Sequence, residues 1–120
     1  MYSPSNTNQN SVLLAKACLN GAERLGMTLD QMATMLKIAP EKLVPNELQI
    51  SPDSEQGKLA LSLVRISIAL EMLNGGDVEM IQHFMHQQNH LTRGIPIEQV
   101  QNPQGLVQVL EFLEAIPAKI

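Results

Sequence analysis

From Ser54 to Leu73 the chain holds no proline, and Leu59, Leu61, Leu63, Val64, Ile66, Ile68, Ala69, Leu70, Met72 and Leu73 crowd into it. That stretch is long enough for a helix of about 30 Å at about 1.5 Å per residue. Its apolar residues cover most of the helix circumference, so the helix needs neighbours on several sides. A membrane span is excluded, because Ser62, Arg65, Ser67 and Glu71 interrupt a run that is already too short to cross a bilayer. The remaining choice is a central helix inside a helical bundle, and strand-like alternation appears nowhere along the chain.

The rest of the sequence supplies the neighbours. Residues 1–10 are polar and aperiodic and read as a mobile tail. Ser11 can cap a first helix in which Leu14, Ala15, Cys18, Leu19, Ala22 and Leu25 recur at helical spacing before Gly26. Thr28 followed by Gln31 is a capping box, and Leu29, Met32, Ala33 and Leu36 then trace an expected buried face. Pro40 suits the start of a third helix that Pro45 stops after about one turn. After the central helix, Gly75-Gly76 form a stop and Asp77 caps the next helix. Pro96 opens another, and Asn102-Pro103 start the last, in which Val107, Leu110 and Leu113 are expected to face the core while Gln108, Glu111 and Glu114 face outward, and which Pro117 terminates. The expected fold is all-α, a compact bundle of about six helices.

Composition limits what such a bundle can do. Eight Lys+Arg against twelve Asp+Glu give a net charge of −4, the wrong sign for a chain that binds mainly by neutralising phosphates. One Tyr, two Phe and no Trp exclude base-stacking platforms for single strands. The lone Cys18 makes no internal disulfide, and residues 1–10 lack the character of a signal peptide, so a cytoplasmic setting is expected. Residues 24–43 nevertheless have the ground plan of a helix-turn-helix, with the small Ala33 at the crossing, Ile38 at the turn and Leu43 as anchor. Its DNA-facing candidates are Thr28, Gln31, Lys37 and Lys42. Pro45 shortens the reading helix, Asp30, Glu41 and Glu47 outnumber the two lysines, and no arginine lies between Arg24 and Arg65. Any contact with operator DNA is therefore expected to be weak, or to belong to a complex with a partner protein.

Several ordered segments resemble the Xre/MbcA/ParS antitoxins, which join an Xre-like helix-turn-helix to a C-terminal toxin-binding region. They are Ala22-Glu23-Arg24-Leu25-Gly26, Leu63-Val64-Arg65 with the paired glycines, the Phe84 segment, Asn89, Leu91, Gly94 and Pro96, and Gly105-Leu106-Val107 with Val109 to Leu113. The chain departs from the family at Phe84, where Trp is common, and at Lys37, where the turn often has Gly and Lys37 is therefore expected to accept a left-handed conformation. The Asn89 to Leu91 interval is also a residue tighter. The resemblance implies a Xre-like region at 11–50, a central helix at 51–76 and a toxin-binding region at 77–120. It further implies an antitoxin of a type II system that neutralises a RES-domain, NAD-consuming toxin by protein–protein binding and autoregulates its operon. The residues assigned to toxin binding are Asn89, Leu91, Arg93, Gly94, Pro96, Glu111, Glu114, Lys119 and Ile120. A stand-alone helix-turn-helix transcriptional regulator is the alternative.

Other constellations carry less. His83, His86 and His90 would share a helix face only if the fifth helix reached residue 90, and a solvated face is the expected reading. Cys18 sits on an apolar face as a buried, inert thiol. Gly75-Gly76 follows no strand and is no phosphate loop. Neither an enzyme nor a cofactor is expected. The apolar excess of the central helix leads instead to an expected two-fold dimer or higher homo-oligomer.

Overall fold

The computed structural model describes residues 4–117, with side chains described from residue 9 onward. Among the described residues six α-helices are present: α1 Pro4–Leu25, α2 Leu29–Leu36, α3 Glu55–Leu73, α4 Val78–His86, α5 Pro96–Gln99 and α6 Pro103–Glu114. A 3₁₀ turn, Pro40–Lys42, lies between α2 and α3. Among the described residues there is no strand, and the fold is all-α as the periodicity requires. No helix there is long and apolar enough to cross a membrane.

The caps form where side-chain oxygens meet free helix amides. Thr28 and Gln31 complete a reciprocal box, the Thr28 amide donating to Gln31 Oε1 at 2.9 Å and the Gln31 amide to Thr28 Oγ1 at 3.1 Å. Ser54 accepts from the Gly57 amide, Asp77 from the Glu79 and Met80 amides, and Asn102 from the Gly105 amide. Gly75 and Gly76, at φ +60° and +79°, turn the chain from α3 into α4. Lys37 adopts the left-handed conformation expected of it, φ 60° and ψ 42°.

Three local expectations are corrected. α1 starts at Pro4 rather than after Ser11, so residues 4–10 are helical instead of a tail, and Ser11 lies inside the helix. Pro4 is pre-set for a first helical position, and no glycine or further proline interrupts propagation before Gly21. Leu29 is 49% exposed while Met35 is 1% exposed, because the first residue of this short helix overhangs the core edge. In α6, Val107 points outward and Leu106, Val109, Leu110 and Leu113 make the buried face, a run of i, i+3, i+4, i+7.

α3 is the axis of the bundle, with α1 and α6 packed on it and α4 joining α1 to α5. Gly57, Ala60, Leu63, Ile66, Ser67 and Leu70 are its buried residues. The last two helices are locked by a close approach: a Cβ on Gly105 would stand 2.1 Å from the Gln99 carbonyl oxygen at the end of α5. Gly105→Ala is therefore expected to destabilise the fold by about 2–3 kcal/mol. Lys37→Gly, which removes the left-handed penalty, should stabilise it by about 1 kcal/mol. Urea titration followed by circular dichroism measures both.

Candidate functional site

Between α4 and α5 the chain builds a small closed loop from Asn89 to Gly94. Its ends pair across a single bridge, the Asn89 amide donating to the Gly94 carbonyl at 2.8 Å. Asn89 Oδ1 accepts from the amides of Leu91 and Thr92 at 2.8 and 3.1 Å, and the Asn89 carbonyl accepts from the amide of Arg93 at 2.8 Å. Thr92 is fully buried, and its carbonyl accepts from Gln99 Nε2 and, at 3.1 Å, from Gln108 Nε2. The loop is thus tied to α5 and α6 through one residue. Outward it shows His90, Leu91 and Arg93, with Leu91 74% exposed and Arg93 held at φ 67°. An exposed leucine and a left-handed arginine on a backbone held by the Asn89, Thr92 and Gly94 hydrogen bonds do nothing for the core. They are the outward-facing side chains of the loop.

The residues assigned to toxin binding separate into kinds. Asn89 and Gly94 close the loop, Pro96 is buried at the start of α5, and Leu91 and Arg93 project from it. Glu111 is exposed on α6, one turn beyond the Gln108 that holds Thr92. Glu114 is not free: Arg65 of α3 grips it with both forks, Nε donating to Oε2 at 3.0 Å and the terminal nitrogen to Oε1. Lys119 and Ile120 lie outside the described residues.

Two grooves flank the end of α6. One, of 390 Å³, runs between α3 and α6 past Ile68, Met72 and Leu113. The other, of 550 Å³, lies beneath α4 and includes Met80, Phe84 and Phe112. Phe84 stacks on Phe112 with ring centroids 6.4 Å apart. Leu73, Leu113 and Ile116 line both grooves. Sequence reasoning missed the grooves and the Thr92 hub, because each is assembled from residues far apart in the chain.

The candidate DNA residues are placed differently. Thr28 and Gln31 hold one another in the capping box, and Lys37 and Lys42 are exposed. The third element is a 3₁₀ turn of three residues. α4 ends at His86, so His90 leaves its face for the loop, and His86 Nδ1 lies 2.9 Å from the Gln82 carbonyl oxygen. Among the described residues no three His, Cys, Asp or Glu gather as metal ligands.

One family model matches the C-terminal part of the chain. Residues 69–119 match the model of the antitoxin Xre/MbcA/ParS C-terminal toxin-binding domain, the same family that the sequence resembles. No curated protein matches the chain. The matched segment runs from the end of α3 through α6 and contains the Asn89–Gly94 loop, the Phe84–Phe112 stack and both walls of the second groove.

Cys18 is fully buried, and burial pushes its thiol up from 9.0 to about 12. The native chain should resist Ellman's reagent at mildly alkaline pH and react once unfolded. The folded state holds this proton more tightly than the unfolded state does. The contribution to stability is therefore complete below pH 9.0 and is lost as pH rises toward 12. Cys18→Ala should flatten that alkaline limb in denaturation curves.

Proposed function

We propose that this chain is the antitoxin of a type II toxin–antitoxin pair, working in a cytoplasm and neutralising a RES-domain toxin that consumes NAD. The observation that carries the reading is the coincidence of the toxin-binding-domain match with the loop that exposes Leu91 and Arg93 on a fixed backbone. Docking is steric and electrostatic, with no bond made or broken. Leu91 fills an apolar socket on the toxin, Arg93 pairs with a carboxylate beside it, and Glu111 sits on the rim, where an acidic chain suits a cleft built for an anionic dinucleotide. Asn89, Gly94 and Pro96 act by holding the loop rather than by touching the partner. A loop already closed by its own hydrogen bonds loses little freedom on binding, which favours tight association.

Operator DNA is a second partner in this reading, reached by the toxin complex rather than by the isolated chain. Two lysines beside a 3₁₀ turn offer few phosphate contacts, and a short turn cannot fill a major groove as a recognition helix does. Autoregulation then requires the assembled complex.

Co-expression with the neighbouring toxin gene, scored by rescue of growth and by co-purification, tests the pairing. Leu91→Asp and Arg93→Glu together should weaken toxin binding about a hundredfold or more while leaving the melting temperature nearly unchanged. Unchanged affinity would place the interface elsewhere. Removing residues 118–120 in a separate variant measures what Lys119 and Ile120 add. Tight, specific operator binding by the isolated chain in physiological salt would turn the assignment to a stand-alone regulator.

A further inference from the structure

The tripeptide Leu-Asn-Gly occurs twice in the chain, as Leu19-Asn20-Gly21 and as Leu73-Asn74-Gly75. An asparagine amide followed by glycine is chemically labile, because the glycine nitrogen carries no shielding Cβ beside it and its backbone turns freely into line with the side-chain carbonyl carbon. The fold treats the two copies in opposite ways. Gly21 lies inside α1, where amides are committed to carbonyls one turn back, and it is buried, so that an added Cβ would stand 3.3 Å from Ser67 Cβ. Bringing Asn20 into line for attack would unwind α1 against α3. Asn74, by contrast, stands one residue past the end of α3 with ψ 9°, and Gly75 is exposed at φ +60° with no neighbouring group within 4 Å of where a Cβ would be. Among the described residues the Gly75 amide has no hydrogen-bond acceptor. The turn is held by Asn74 Nδ2 donating to the Leu70 carbonyl at 2.9 Å, the Gly76 amide to the Glu71 carbonyl at 2.9 Å and the Asp77 amide to the Asn74 carbonyl at 3.1 Å. Bonds at the end of an element open far more often than those in the middle of a packed helix.

We propose that Asn74 is a site of spontaneous covalent modification, at which the side-chain amide becomes a carboxylate with water as the only co-reactant. When the turn opens and ψ swings away from 9°, the Gly75 nitrogen gives its proton to hydroxide and bonds to Asn74 Cγ. The Cγ–Nδ2 bond then breaks and the nitrogen leaves as ammonia, taking a proton from water. A second water opens the cyclic imide: cleavage at Cγ leaves aspartate, and cleavage at the main-chain carbonyl leaves isoaspartate, in which the chain runs through the side chain. Nothing is oxidised or reduced. Both products replace the donor that faced the Leu70 carbonyl with a negative charge at the carboxyl end of α3, where the helix dipole is negative too. Isoaspartate also lengthens the main chain and pulls Gly76 out of register with Glu71. Asn74 lies within the matched segment 69–119 and lines the 550 Å³ groove beneath α4, so this wall of the domain has a finite chemical lifetime.

Incubating the full chain in warm, mildly alkaline buffer and mapping its peptides over time by mass spectrometry tests the site without any partner, and its outcome is independent of toxin binding. The second Leu-Asn-Gly is the internal control. In the folded chain Asn74 is expected to convert about tenfold faster than Asn20 or more, with product methylated by an isoaspartate-specific methyltransferase, whereas in concentrated urea the two sites should come within about threefold of each other. Asn74→Gln, whose longer side chain closes a ring far more slowly, should abolish conversion at this position. Asn74→Asp should melt a few degrees below the unmodified chain. No conversion at Asn74, equal rates at the two sites in the folded chain, or a lead for Asn74 that persists undiminished in urea would each overturn the assignment. An Asn74→Asp chain as stable as the unmodified one would overturn the loosening of the turn.

Discussion

The bundle depends on how closely α1 and α3 approach one another. At their crossing Gly21 faces Ser67, and a Cβ on Gly21 would stand 3.3 Å from Ser67 Cβ, tighter than side chains normally meet. That approach lets Cys18, Ala22, Ala60 and Leu63 become fully or almost fully buried, and it gives α6 and α4 a fixed platform on which to seat. Gly21 weakens α1 as an isolated helix by about 1 kcal/mol, and the packed pair more than offsets this. Among the described residues no large aromatic sits at the centre of the core. Leu25, Met32, Met35, Leu36, Leu63, Ile66, Leu70 and Met85 fill it, and the flexible methionines adapt to gaps that branched side chains leave.

Surface ion pairs set the relative position of the elements more than they stabilise them. Arg24 reaches Glu71 and Arg65 reaches Glu114, each tying α3 to a neighbouring helix or its end. All four side chains are at least 39% exposed, so solvent screens each pair to at most about 1 kcal/mol. Their geometric effect is larger. The Arg65–Glu114 fork fixes the wall of the groove between α3 and α6 and removes Glu114 from the residues free to meet a partner.

Legibility in the sequence followed the range of the interaction. Asp77, Asn102 and the Thr28–Gln31 box act on amides two or three residues away, so a local reading found those helix starts. The left-handed Lys37 was legible through the resemblance, in which that turn often holds Gly. The start of α1 was not, because a polar stretch with poor helix formers becomes helical only by propagation from a packed segment beyond it. Leu29 and Val107 were misplaced because periodicity says that a face is buried without saying where the core ends. Arg65 with Glu114, and Thr92 with Gln99 and Gln108, join residues distant in sequence, and no spacing rule reaches across a bundle. Resemblance located the residues of the Asn89–Gly94 loop, while the division between those that hold it and those that face outward came only from the backbone.

That division has an evolutionary side. Since Asn89, Thr92, Gln99 and Gln108 secure the loop from within, His90, Leu91 and Arg93 are decoupled from folding and are free to drift. On the proposed reading, selectivity between sister toxin–antitoxin pairs becomes a matter of these three outward positions, re-matched by compensating changes on the partner while the scaffold stays the same. Only position 93 is not neutral to exchange: its left-handed backbone admits Gly or Asn readily and resists β-branched residues, so it is the slowest of the three to diversify.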